Sequence, residues 1–152
     1  MLDKQLSAFI EEGHASYIAS RNERLEPSAA RVSALKVDED GQHVTAFVPT
    51  VSAGPVLDDL RANGQVAVVL TRPTDDRGCQ VKGVFIDARD AAPEERALVV
   101  RQWERFRDTL ERVGLPRTAT DAWIHWPCIA VRLRVNALFD QTPGPGAGAP
   151  LR

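Results

Sequence analysis

Two cations on one predicted strand are the most promising binding groups in this sequence. Arg31 and Lys36 stand near the two ends of residues 30–37, a run of strand-forming residues. The next predicted strand, 43–50, ends in small polar residues, and Ser52 follows it. Guanidinium and ammonium groups beside hydroxyls and backbone amides suit a phosphate, because charge-assisted hydrogen bonds to its oxygens are the strong ones. The pattern therefore predicts a site for a phosphate-bearing ligand.

Residues for other kinds of chemistry are not arranged in a recognisable way. The three histidines, His14, His43 and His125, have no metal-ligand spacing, so the sequence predicts no metal site. Cys79 and Cys128 are far apart and form no CxxC motif, which favours reduced packing residues. Neither a Ser-His-Asp nor a Cys-His arrangement is legible, and no catalytic residue is identified.

Composition narrows the class of protein. At 152 residues, with 43% hydrophobic and 26% charged residues, the chain is predicted to be one globular domain. Its net charge of −2 argues against a non-specific nucleic-acid binder. No apolar run approaches the roughly 20 residues of a membrane span, and the first residues lack a signal-peptide pattern. We therefore expect a cytoplasmic protein.

Periodicity predicts short elements in the first half of the chain. We expect a helix over 3–12, a strand over 14–20, and a hairpin of strands 30–37 and 43–49 around Asp40-Gly41. Ser52 is predicted to cap a helix over 55–62.

The second half adds strands and one long helix. The run 66–70 predicts a strand buried on both faces, and 79–89 predicts a long strand. Helix 93–113 carries an apolar stripe formed by Val99, Trp103, Phe106, Leu110 and Val113. The last strand, from Cys128, alternates with a period of two. The prediction is an α+β fold, mainly antiparallel β, in one domain over 1–140 with a Pro/Gly-rich tail over 141–152.

This order of elements resembles the flavin-binding split-barrel family of pyridoxamine 5′-phosphate oxidase. The motifs that carry the resemblance are Arg-Val-Ser-Ala-Leu-Lys at 31–36, the loop at 49–52, and Gln-Val-Lys-Gly at 80–83. The resemblance implies a six- to seven-stranded split β-barrel with flanking helices. It also implies a homodimer with FMN in a groove between subunits, and a flavin-dependent oxidoreductase whose substrate the sequence does not identify.

The resemblance also assigns roles to residues. In the family, the strand with Arg and Lys contacts the flavin phosphate and ring, the loop after the next strand wraps the phosphate, and a later strand points a polar side chain at the ring. For Gln80 and Lys82 the alternative is a pair of exposed strand residues. The implied flavin-binding set is Arg31, Val32, Ser33, Ala34, Leu35, Lys36, Pro49, Thr50, Ser52, Gln80 and Lys82.

The sequence departs from the family at two places. Ala53 and Gly54 stand where the family has an Arg-Lys pair that binds phosphate, and no Arg-x-His segment lies near the C-terminus. The chain is therefore not expected to be the vitamin B6 enzyme itself. The alternatives are F420 or heme in place of FMN, a non-catalytic binding or sensing dimer, and a dimeric scaffold without cofactor. Residues 125–127 either line a pocket over the cofactor or belong to a core or interface.

Overall fold

A computed structural model describes residues 2–151 as a single seven-stranded antiparallel sheet with three α-helices around it. The sheet order is β2-β1-β5-β6-β7-β4-β3. The predicted α+β fold with seven strands is confirmed. The strands are β1 Ala15–Arg21, β2 Pro27–Val32, β3 Ala34–Val37, β4 His43–Pro49, β5 Gln65–Thr71, β6 Gly78–Asp90 and β7 Cys128–Asp140. The helices are α1 Lys4–Ile10, α2 Gly54–Asn63 and α3 Arg96–Arg112.

The sheet curls because its two end strands are consecutive in the chain. Strands β2 and β3 occupy opposite ends of the sheet order, yet only Ser33 separates them. The amide of Ser33 donates to the carbonyl of Phe47 at 2.8 Å, on β4. One continuous segment therefore pairs with β1 through its first half and with β4 through its second. This connection curls the sheet into a barrel.

The interior of the barrel is filled by alternate residues of the strands and closed by helices. Ile18, Val68 and Val81 point inward and are fully buried. Helix α2 contributes its apolar face to the same core, and Gly64 ends it in a left-handed conformation, as the sequence predicts. None of the described helices is both long enough and apolar enough to span a membrane.

Helix α3 packs on the outside of the barrel against β3, β4 and β7. Its residue Val99 joins a second apolar cluster with Ala34, Phe47 and Ala130. From the same helix the Gln102 side chain, 1% exposed, forms two hydrogen bonds with the backbone of Leu35. Strand β3 is the end of the sheet, and a helix side chain here satisfies backbone groups that would otherwise lack a partner strand.

Three local predictions are wrong, for identifiable reasons. Residues 30–37 are not one strand, because Ser33 divides the segment between two neighbours. Strand β5 is not buried on both faces; Val66, Val68 and Leu70 are buried while the residues between them stay partly exposed. Ser52 does not cap α2, because its hydroxyl donates to the carbonyl of Pro49 at 3.2 Å.

The C-terminal tail folds back along β7. Up to Leu151, the last described residue, the tail has no helix and a single bridge, between Phe139 and Pro150. The amide of Leu151 donates to the carbonyl of Leu138, and the carbonyl of Ala149 accepts from the amide of Asp140. These bonds occupy the part of β7 beyond its pairing with β4, which ends at Arg134. The tail therefore covers an edge of the sheet that β4 leaves open.

Deleting residues 148–152 should destabilise the fold. The deletion removes three backbone hydrogen bonds to β7 and the Leu151 side chain that packs against the core. We expect a loss of about 2–4 kcal/mol, which lowers Tm by about 5–15 °C in a chain of this length. Thermal unfolding followed by circular dichroism measures the change in Tm. Pro145→Ala, in the exposed part of the tail, is the control and should leave Tm unchanged. An unchanged Tm after deletion would show that the tail does not contribute.

Candidate functional site

A row of side chains crosses the outer face of five strands. Residues directly opposite each other in antiparallel strands point to the same face. Register places Arg31 of β2 opposite Tyr17 of β1, Tyr17 opposite Val69 of β5, and Val69 opposite Gln80 of β6, which in turn pairs with Phe139 of β7. Tyr17 is 48% exposed. The structure thus puts Arg31 and Gln80 on one accessible face, about 14 Å apart across three strand spacings.

The next row on this face is formed largely by alanines. Lys82 lies in this row between Ala67 and Ala137. It is exposed, and its ammonium is 5.1 Å from the centre of the Phe139 ring. Beside it lies an open groove of about 540 Å³ with an apolar floor and polar rim residues Arg21, Gln65 and Asn136. The face is therefore flat, apolar in its middle and polar along its margins. The alanines are Ala29, Ala19, Ala67 and Ala137.

Two indole rings lie against the half-buried Arg31 side chain. Its guanidinium carbon lies 4.6 Å from the ring centre of Trp103 on α3 and 5.0 Å from that of Trp123. Its Nη2 donates to the carbonyl of Ile124 at 3.0 Å. Burial lowers the pKa of Arg31 from its usual value. Both rings are within the distance of a cation–π contact, and the guanidinium stays partly accessible to solvent.

Residues of α3 and of the segment before β7 complete this aromatic cluster. Trp103, 2% exposed, stacks on the ring of His125 with centres 5.2 Å apart, and Trp123 stays 38% exposed. Sequence analysis places Trp103 on the buried stripe of the helix, which is correct, but it does not foresee a contact with Arg31. Residues 31, 103 and 123 are far apart in sequence, and no local signal joins them.

The loop after β4 lies next to the same segment. The amide of Thr50 donates to the carbonyl of Pro127 at 3.0 Å. Thr50 and Ser52 are exposed, and Gly54, the first residue of α2, has open space where a Cβ would stand. The segment 124–127 therefore connects the loop to Arg31.

Lys36 lies at the other end of β3. It is exposed and stands opposite Thr45. Hydrogen bonds from Arg89, and at longer range the charge of Lys36, lower the pKa of Glu95. Side chains five residues apart on one regular strand would point to opposite faces. Ser33 interrupts the strand between Arg31 and Lys36, and both side chains therefore lie on the outer side of the barrel. The structure does not bring the two cations together.

Residues 32–35, between the two cations, pack in the protein core. Val32 and Leu35 belong to the interior core, and Ala34 lies in the cluster under α3. The amide and carbonyl of Leu35 are both bonded to Gln102. The hydroxyl of Ser33 is buried and has no hydrogen-bond partner among residues 2–151.

The cysteines are buried free thiols. Cys79 and Cys128 lie in the two apolar clusters, and burial raises the pKa of each to about 11. A thiol with such a pKa stays protonated at neutral pH and is a poor nucleophile. Both cysteines are free and buried, which confirms the sequence interpretation.

One group of side chains has metal-ligand geometry within the described residues. Asp38, Asp40 and His43 bring ligand atoms within 4.8 Å of one another at the β3–β4 turn. Each has a partner of its own, because Arg132 donates to Asp38 at 2.7 Å and His43 pairs with Asp40 at 2.8 Å. These ion pairs account for the arrangement.

Comparison with known proteins identifies the fold. Neither a protein-family model nor a curated protein matches the sequence. A candidate pyridoxamine 5′-phosphate oxidase from Lactobacillus delbrueckii matches 91% of this chain and 93% of its own, with 13% identity and a TM-score of 0.55. An FMN-binding protein from Syntrophomonas wolfei matches 88% of this chain and 82% of its own, with 9% identity and a TM-score of 0.55. An F420 reductase matches 90% of this chain and 98% of its own, with 14% identity and a TM-score of 0.56. The chain has the split-barrel fold of the pyridoxamine 5′-phosphate oxidase-like proteins, as the sequence resemblance predicts.

Proposed function

We propose that this chain is a cytoplasmic, homodimeric flavoprotein that binds FMN against the outer face of β1, β5 and β6. The observation that carries the proposal is the row from Arg31 through Tyr17 and Val69 to Gln80 on one accessible face. The fold is shared with an FMN-binding protein and an F420 reductase, which favours a ligand of the flavin type. The aromatic and apolar centre of the row suits a planar tricyclic ring.

The protein side of this site supplies binding and orientation. Lys82 lines the groove, and Gln80 lies two residues before it on the same face of β6, so both would hydrogen-bond the polar edge of the ring. Tyr17 would pack against the ring face. A bound flavin supplies hydride or electron transfer, which needs no protein nucleophile.

A second copy of the chain is part of this proposal. The alanine row gives a flat outer surface on which another sheet could approach closely, and Tyr17 stands exposed beside it. A partner over this face would exclude water from the ring. Sedimentation at the dimer mass under dilute native conditions supports the proposal, and sedimentation at the monomer mass counts against this part of it.

Titration with FMN tests the function. We expect saturable quenching of flavin fluorescence by the native protein, because the ring enters an apolar site. Gln80→Ala and Lys82→Ala should each weaken FMN binding about 2- to 12-fold, the cost of one hydrogen bond. Arg101→Ala, on the exposed side of α3, is the matched control and should bind like the native chain. Absence of binding at flavin concentrations of 100 µM would contradict the proposal.

A non-catalytic binding or sensing dimer, holding a flavin, F420 or heme, is the second candidate. The presence of Ala53 and Gly54 in the loop favours it, because these residues add no charge for a cofactor phosphate. Bound FMN that NAD(P)H does not reduce would support this candidate over the oxidoreductase. Parallel titrations with F420 and heme, followed by absorbance, identify the ligand.

A further inference from the structure

We infer that Trp123 and the carbonyl of Ile124 are positioning groups of the proposed site, because they hold the Arg31 guanidinium in place for the phosphate of the flavin. The inference rests on the proposed function, which places FMN along the row that begins at Arg31. It concerns two residues before β7 that do not belong to that row. Trp123 then determines how strongly the protein prefers FMN to riboflavin, which has the same ring and no phosphate.

The charge of Arg31 has no counter-charge within residues 2–151. No carboxylate of these residues lies within salt-bridge distance of its guanidinium. Arg72, Arg89 and Arg132, by contrast, each pair with a carboxylate at 2.7 Å. Burial lowers the pKa of Arg31, and no carboxylate offsets that effect. A partly buried cation carries a desolvation cost that an anion from outside the chain would offset.

Three contacts orient this guanidinium and leave most of its donors free. The ring centres of Trp103 and Trp123 lie 4.6 and 5.0 Å from its central carbon, and its Nη2 donates to the carbonyl of Ile124 at 3.0 Å. Within residues 2–151 this is the one hydrogen bond of the Arg31 side chain. The remaining N–H groups form part of a rigid planar fork that matches the oxygens of a phosphate.

The segment that carries Trp123 and Ile124 also borders the loop after β4. The amide of Thr50 donates to the carbonyl of Pro127 at 3.0 Å. Thr50 itself is exposed, so its hydroxyl is accessible to a ligand. The segment therefore joins the oriented guanidinium to a loop with an exposed hydroxyl, and both kinds of group donate hydrogen bonds to phosphate oxygens.

Of the two indoles, Trp123 is the one that can be changed without opening the core. It is 38% exposed, whereas Trp103 is 2% exposed. Without the Trp123 ring the long side chain of Arg31 regains rotamer freedom, and binding of the phosphate has to remove that freedom again. Fixing one such side chain weakens binding by about 2- to 12-fold.

Titrations of FMN and riboflavin into the native protein and its variants test the inference, with each Kd obtained from flavin fluorescence quenching. The native chain should bind FMN tighter than riboflavin by about tenfold or more, the effect of one charge-assisted hydrogen bond. Arg31→Gln should remove most of this preference. Arg101→Gln removes the same charge from the exposed side of α3 and should leave the preference unchanged.

The decisive variant is Trp123→Ala. Its Kd for FMN should rise by about 2- to 12-fold, while its Kd for riboflavin changes by less than about twofold. Trp123→Phe keeps an aromatic face and should restore most of the preference, whereas Trp123→Leu keeps only apolar bulk and should behave like the alanine variant. Circular dichroism and sedimentation of each variant verify its fold and its oligomeric state.

Four results would overturn the inference and leave the proposed function intact. They are equal Kd values for the two flavins in the native chain, an unchanged preference in Trp123→Ala, equal weakening of both flavins in that variant, and an unchanged preference in Arg31→Gln. Loss of the dimer together with that last result would show that a carboxylate of the second copy neutralises Arg31. Failure of the native chain to bind either flavin would overturn the proposed function and this inference with it.

Discussion

Gly13→Ala is expected to destabilise the protein by about 3–5 kcal/mol, a large part of the 5–15 kcal/mol typical of a domain. Gly13 joins α1 to β1 with a φ of +95°, a conformation that L side chains rarely adopt. A Cβ there would lie 2.3 Å from the carbonyl oxygen of Gln102 on α3. Because the obstacle is helix backbone, relief requires α3 to move off the barrel. Urea unfolding monitored by tryptophan fluorescence measures the effect.

Gly114→Ala separates the cost of the positive φ from the cost of the clash with the α3 backbone. Gly114 has nearly the same φ, +96°, but nothing lies within 4 Å of the added Cβ. The free energy of unfolding of this variant should fall by only about 1–2 kcal/mol, which is the cost of an L side chain in the left-handed conformation. Equal losses in the two variants would show that the backbone of Gly13 is not in close contact with that of Gln102 on α3.

Gln102→Leu is expected to cost about 2–5 kcal/mol, although leucine has a similar volume. Gln102 donates to the carbonyl of Leu35 at 2.6 Å and accepts from its amide at 3.0 Å. Leucine satisfies neither group, and each buried unpaired group costs about 1–3 kcal/mol. The end strand β3 should then detach first, which amide hydrogen exchange at Leu35 would detect.

Arg101→Leu is the matched control for this substitution. It introduces the same side chain at the neighbouring, exposed position of α3 and should change stability by less than about 0.5 kcal/mol. If Gln102→Leu behaved like this control, the two hydrogen bonds would not hold β3 to the helix.

The elements follow from local patterns in the sequence. The apolar stripe of helix 93–113 predicts one buried face, and Val99, Trp103 and Phe106 are buried. The prediction fails at the end of the helix, where Leu110 is partly exposed and Val113 is 52% exposed. Alternation from Cys128 predicts the last strand, and Asp40-Gly41 predicts the turn before β4. These patterns are reliable because the chain must bury apolar side chains at the period of its own backbone. The split barrel itself was implied by the resemblance of this order of elements to a known family.

The contacts at the candidate site depended on the tertiary structure. The sequence places Arg31 on a strand, but only the packing of α3 and of residues 123–127 brings two indole rings against its guanidinium. The sequence also predicts one strand over 30–37, because no local signal shows that the pairing partner changes from β1 to β4 at Ser33. Partners across a sheet and across a helix interface are set by closure of the whole barrel. Local periodicity determines which side of an element is buried, whereas closure determines what it is buried against.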